Sequence, residues 1–225
     1  MKVNRKVFQI LDLDRTLLNT SKLAHQLKEM VAKNDSQLAK SINDEIMRHQ
    51  KERTSFFIFE YIAQKIGEEK FHTFIEELHK AAPSMELLLP GAKERINYAK
   101  SQPGWGMGIM TYGSKRDQMI KLKLIGLQFE HLLITENPHK GKIISSWQLE
   151  DGTFKLPIDF GGHVVDVVTL DDDKLIAFEY LPQGAYGQWI TDASLGGSTE
   201  LMHFSENVRV VPSLEASISY LKTKL

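Results

Sequence analysis

The sequence predicts an α/β fold: a three-layer core on a parallel sheet, with an all-helical cap domain inserted near its start. Three observations predict it. Short apolar runs alternate with amphipathic stretches, the pattern of parallel strands joined by right-handed helical crossovers. From about Ser21 to Ala82 that alternation stops, and the chain keeps helical spacing with almost no turn formers. Outside that block the apolar runs end in acids, a hydroxyl or a lysine-rich loop, and in parallel sheets chemistry gathers at the carboxyl ends of the strands.

The first element is VFQIL (Val7 to Leu11), short, apolar and closed by polar residues, as a buried strand should be. Four amphipathic helices follow in LAHQLKEMVAK, AKSINDEIMRHQ, SFFIFEYIAQKI and KFHTFIEELHKAA, separated near Asn34-Asp35, Thr54 and Gly67. Thr20 or Ser21, and later Asp35 or Ser36, are the candidate N-caps, since their side-chain oxygens can accept a free first-turn N–H. Pro83 closes the block. Gly91 to Lys100 predicts a helix, Met107 to Thr111 a strand, and Arg116 to Leu124 a helix with Gly126 just past its end. His131 to Thr135 is the next strand. KIISSWQLEDGTFKLP predicts a β-hairpin turning at Asp151-Gly152. His163 to Leu170 is a buried strand running into Asp171-Asp172-Asp173. Gly187 to Thr191 and Val208 to Val211 supply late strands, and SLEASISYLK a closing helix. The expected partition is a core domain of residues 1–19 and 84–225 and a cap domain of residues 20–83.

With 28 Lys+Arg against 29 Asp+Glu in 225 residues, no global field steers the chain toward nucleic acid or an anionic membrane. Cysteine is absent, which removes disulfides, thiolate zinc sites and cysteine nucleophiles together. The opening MKVNRKVFQILDLD lacks the long uncharged core and small-residue cleavage site of a signal peptide, and no stretch is long enough to span a bilayer. A cytoplasmic protein is expected. GWGMG precedes a strand instead of following one, so it is no dinucleotide loop, and the eight histidines show no metal-ligand spacing.

Function is carried by the strand ends. Asp12 and Asp14 close the first strand and Asp171 to Asp173 a later one, an oxygen-only donor set that favours Mg²⁺ over zinc. Mg²⁺ keeps several waters and is commonly shared with phosphate, so a small phosphorylated metabolite is the expected partner. Thr111, followed by Tyr112, Gly113 and Ser114, offers a hydroxyl and turn amides to phosphate oxygens. Lys140 and Lys142 could neutralise charge on a transferring group, and Thr16 is placed to brace the turn presenting the first acids. Of the paired acids, one can attack phosphorus as a carboxylate while the other carries a proton to the leaving oxygen.

DLDRTL (Asp12 to Leu17) resembles motif I, DxDxT, of the haloacid dehalogenase-like (HAD) phosphatases. IMTYGS resembles their motif II, the lysine near position 140 their motif III, and VVTLDDDK their motif IV, in the family's order. The helical block sits where that family inserts its C1 cap. The resemblance implies a Rossmann-like core, Asp12 as nucleophile, and Asp14 as general acid/base with its backbone carbonyl on Mg²⁺. It further implies Thr111 and Lys140 as phosphate and nucleophile partners, Asp172 as the motif IV ligand, and Asp171 as a second acid beside the metal. Asp173 stays open as an alternative to these two. Three features depart from the pattern: Arg15 stands where glycine is frequent, a hairpin is expected after Lys140, and the acid run lacks a further acid several residues on. Asp14 argues against dehalogenation, whose enzymes typically lack that second acid. A phosphomutase or phosphotransferase of the same fold, and a non-catalytic phospho-ligand module, are the alternatives.

Overall fold

The computed structural model describes residues 5–52, 54–191 and 206–225. Strand β1 (Val7–Leu11) leads into helices α1 (Thr20–Ala32), α2 (Ser36–Glu52), α3 (Ile58–Ile66) and α4 (Glu68–Met85). Then come α5 (Ala92–Ser101), β2 (Trp105–Tyr112), α6 (Lys115–Leu124), β3 (Leu132–Thr135) and α7 (Lys140–Ser145). β4 (Phe154–Lys155), β5 (Val164–Val165), β6 (Val167–Asp172), β7 (Ala185–Ile190), β8 (Val208–Val211) and α8 (Leu214–Lys224) complete it. Among the described residues no helix is long and apolar enough to cross a membrane.

The chain packs as two compact units. One comprises Met1–Leu17, Leu88–Tyr112 and Phe129–Leu225 and contains a six-stranded sheet in the order β3-β2-β1-β6-β7-β8. All its neighbouring strands are parallel. β1 to β3 build outward in one direction and β6 to β8 in the other, so the topological switch point lies between β1 and β6. Side chains alternate across the sheet. Phe8, Ile10, Val168 and Leu170 face a buried cluster with Ile144 of α7, Trp147, Phe154 and Phe160. On the other parity stand Gln9, Thr169 and Asp171, where Arg95 of α5 and Ser217 of α8 reach the Asp171 carboxylate.

The other unit comprises Leu18–Leu87 and Gly113–Gln128, so α6 joins the inserted block, where it packs against α3 and α4. The buried Asp117 of α6 explains the attachment: its carboxylate accepts the N–H groups of Phe59 (3.2 Å) and Glu60 (3.1 Å) in the first turn of α3. α1 is capped by Asn19, one residue before the expected Thr20, through Lys22 N–H at 2.9 Å. Asp35 caps α2 as expected, accepting the N–H of Leu38 at 2.8 Å.

Pro83 does not close the helical block but lies inside α4, which runs on to Met85. Two further expectations change. The hairpin does turn at Asp151-Gly152, with Leu149 donating to Thr153 at 2.8 Å, but KIIS ahead of it is helical. Ile143 and Ile144 favour strands by propensity, yet packing overrides it. Ile144 is fully buried, and Gly141 lies so close to the 179–181 backbone that a Cβ would meet Glu179 O at 2.4 Å. The second change is in HVVDVVTL, which forms two strands. Val164–Val165 pairs with β4, and Asp166 breaks the run by accepting the N–H of Lys6 at 2.7 Å before β6 begins.

Candidate active site

β1 and β6 deliver acids side by side. Their ladder continues past the end of β1, with the Asp12 N–H donating to Asp171 O at 2.9 Å. Phe8, Ile10 and Asp12 share one parity, as do Val168, Leu170 and Asp172, so both carboxylates turn toward the face covered by α7. There α7 begins with Lys140, whose buried Nζ donates to Asp12 Oδ1 and, at 2.5 Å, to Asp172 Oδ2. The second oxygen of Asp172 accepts the Lys174 N–H at 2.8 Å. Asp173 joins the group: one carboxylate oxygen from each of Asp12, Asp172 and Asp173 lies within 4.8 Å of the others.

Of the two lysines, Lys140 is buried in the cluster and Lys142 is exposed. Asp171, expected among the acids beside a metal, is not in this group. Asp171 points to the opposite face, where Oδ2 accepts from Arg95 Nε (2.9 Å) and Ser217 Oγ (3.1 Å) and Oδ1 from Gln188 Nε2 (2.8 Å). Strand alternation is the reason: consecutive residues of β6 cannot both face α7. Asp173 supplies the third carboxylate instead, its position fixed by Trp189 Nε1 donating to its backbone carbonyl at 2.9 Å. Asp14 is half-buried and its carboxylate is outside the three-acid group, although its charge is felt by Asp12.

Thr111 stands one residue before the end of β2, the neighbour of β1 on its other side, and Thr16 lies two residues past Asp14. Both hydroxyls are buried and have no hydrogen-bond partner among the described residues. Buried polar groups are rarely left so, which makes both hydroxyls candidate donors to a ligand oxygen. Tyr112 is half-buried, with Lys174 Nζ 5.9 Å from its ring centre. Gly113 opens the segment that belongs to the helical unit, where Ser114 accepts the N–H of Asp117 at 3.2 Å.

Burial pushes the Asp12 carboxyl up to about 7; Lys140 opposes the shift, and the nearby Asp172 and Asp14 reinforce it. Asp173 is raised for the same reasons, burial first and then Asp172 and Asp12, with Lys174 and Arg15 opposing. Burial works against the charge of Lys140, but the two carboxylates outweigh it and hold its pKa above the ordinary lysine value. Burial thus disfavours the charged forms of Asp12 and Asp173, and a bound dication would offset that cost. Three carboxylate donors with no histidine or cysteine among them suit a hard cation such as Mg²⁺.

Arg15 is the least expected member. Its backbone is left-handed (φ 62°) and its Nε lies 3.2 Å from Asp173 Oδ2. Arg95 is the residue that sequence reading missed. A signal for it existed: Ala92, Arg95, Ile96 and Ala99 occupy one buried helical stripe.

The fold and the site together define a Rossmann-like α/β protein with an acid–lysine cluster at its switch point. The chain belongs to the haloacid dehalogenase-like hydrolase family, whose sequence profile matches residues 9–142. Among solved structures it is similar to a candidate haloacid dehalogenase-like hydrolase from Burkholderia xenovorans, at 14% identity and a TM-score of 0.66, covering 98% of this chain and 99% of that one. A candidate HAD hydrolase from Bacillus subtilis, bound to magnesium, aligns at 16% identity and a TM-score of 0.56 over 96% of this chain and 99% of its own. A candidate beta-phosphoglucomutase from Thermotoga maritima aligns at 16% identity and a TM-score of 0.53, covering 97% and 99%. These identities establish a shared fold. A comparison with curated proteins finds no significant match.

Proposed function

We propose that this hydrolase is a Mg²⁺-dependent phosphatase acting on a small phosphomonoester through an aspartyl-phosphate on Asp12. The observation that carries the proposal is Lys140 Nζ bridging Asp12 and Asp172 at the switch point, with Asp173 completing a three-carboxylate group. Asp12, Asp172 and Asp173 would hold the ion by side chain. When bound, Mg²⁺ neutralises phosphate charge and keeps these acids ionised.

The protein's own groups would then act in order. Lys140 holds the Asp12 carboxylate in place and balances charge as it attacks phosphorus. The ester P–O bond breaks, and the leaving oxygen takes its proton from the Asp14 carboxyl. Asp14, now a carboxylate, takes a proton from water as that water attacks phosphorus. The bond to Asp12 breaks and phosphate leaves. Thr111 donates its orphaned hydroxyl to a phosphate oxygen throughout. The presence of Asp14 favours phosphoryl over haloacid chemistry, since a halide needs no proton donor. A cytoplasmic setting, in keeping with a cysteine-free chain, is part of the proposal.

The test is phosphate release from a panel of phosphorylated metabolites and an aryl phosphate, with and without Mg²⁺. Wild type should turn over one class of ester only with metal, and Asp12→Asn should lose that turnover while remaining folded. Full activity in Asp12→Asn would exclude the aspartyl-phosphate route.

A further inference from the structure

Arg15 is a charged residue at the site that the proposed reaction does not use. It follows Asp14 directly, and its left-handed backbone, φ 62°, is one that glycine holds without strain and a long side chain does not. A residue kept there against that strain needs a contact that requires it. Asp173 supplies one: the guanidinium Nε lies 3.2 Å from Oδ2, with the arginine side chain 39% exposed and the acid 8% exposed. A cation thus reaches in from the solvent side onto a nearly buried oxygen of the three-acid group.

We infer that Arg15 is a tethered counter-cation that competes with the metal for Asp173, and so sets how tightly the site loads. The inference rests on the proposed metal-dependent activity. Without an ion, the Lys140 ammonium lies against Asp12 and Asp172, and the Arg15 guanidinium is paired with Asp173, whose charge Lys174 also offsets. A dication on the same oxygens makes the Arg15 charge repulsive. Guanidinium cannot escape by losing its proton, because its pKa is too high. It has to withdraw, and its exposed side chain gives it a path into solvent. Metal binding therefore includes the breaking of the Arg15–Asp173 pair, whereas a glycine at position 15 would leave Asp173 open from the start.

The experiment measures Mn²⁺ binding to the whole chain by the loss of the free-ion paramagnetic resonance signal, for wild type, Arg15→Gln, Arg15→Lys and Arg15→Gly. Removing a partly screened charge from beside the ion should tighten binding about tenfold in Arg15→Gln, with Arg15→Lys within about threefold of wild type. Arg15→Gly should follow Arg15→Gln, and because it also relieves the backbone, it guards against misfolding of the glutamine variant. The melting shift on adding Mn²⁺ should be larger in both neutral variants than in wild type. Equal or weaker Mn²⁺ binding in Arg15→Gln and Arg15→Gly would overturn the inference while leaving the metal site intact, and would make Arg15 a support that orients Asp173. Failure of wild type to bind Mn²⁺ at all would overturn the metal reading and this inference together.

Discussion

The Arg95–Asp171 pair makes a sharp energetic prediction, because it lies behind the strand that carries the site. Both side chains are fully buried, and Arg95 Nε is 2.9 Å from Asp171 Oδ2. Replacing Arg95 with Met removes the cation and leaves Asp171 with only Ser217 and Gln188, two neutral donors. An uncompensated buried charge of this kind costs about 3–5 kcal/mol, a large share of a typical domain stability of roughly 5–15 kcal/mol. Replacing both partners, as Arg95→Met with Asp171→Leu, removes the charge as well as its partner. That double variant should recover most of the loss, because apolar substitutes for a buried pair are often neutral or better. The assay is urea unfolding of wild type, both singles and the double, read as a double-mutant cycle. A coupling energy above about 2 kcal/mol is expected for side chains in direct contact. A cost below about 1 kcal/mol for Arg95→Met, or additive singles, would show that the ion pair does not anchor β6.

Two further predictions concern the site itself. The Asp12 carboxyl is pushed up to about 7 in the folded state from an ordinary 3.8, so between those values the metal-free folded state binds more protons than the unfolded one. Its contribution to stability is present below the lower value and is lost as pH rises through about 7. Mg²⁺ requires the carboxylates, so the Mg²⁺-induced melting shift should be small at pH 6 and grow toward pH 8; a shift independent of pH across that range would contradict the charge assignment. Thr111→Val should abolish most phosphate release while leaving the urea midpoint unchanged or higher, since a buried unsatisfied hydroxyl costs about 1–3 kcal/mol. A marked fall in stability with activity preserved would show that the hydroxyl serves the fold and not the substrate.

The residues legible in the sequence share one property: their place follows from being at a strand end, whatever the exact register. Asp12, Thr111 and Lys140 are of this kind, and each stands at the carboxyl rim of the sheet or opens the helix beside it. The acid run needed more, because parity separates its members. Phe8 and Ile10 put Asp12 on the α7 face, and Val168 and Leu170 put Asp172 there, which leaves Asp171 on the face of Thr169. Counting alternate residues back from each acid to the apolar positions of its strand would have excluded Asp171 without coordinates. That count does not reach Asp173, which lies past the end of β6 and is held by Trp189 of β7. Nor does it reveal the partner of Asp171, because a helix arginine is ordinarily a solvent residue and only its place on the Ala92–Ile96–Ala99 stripe marks it as buried. Asp171 and Asp173 thus have opposite fates. Asp171 is neutralised permanently by Arg95 in the interior, while Asp173 is held from the solvent side by Arg15, in a pair that a metal ion can replace.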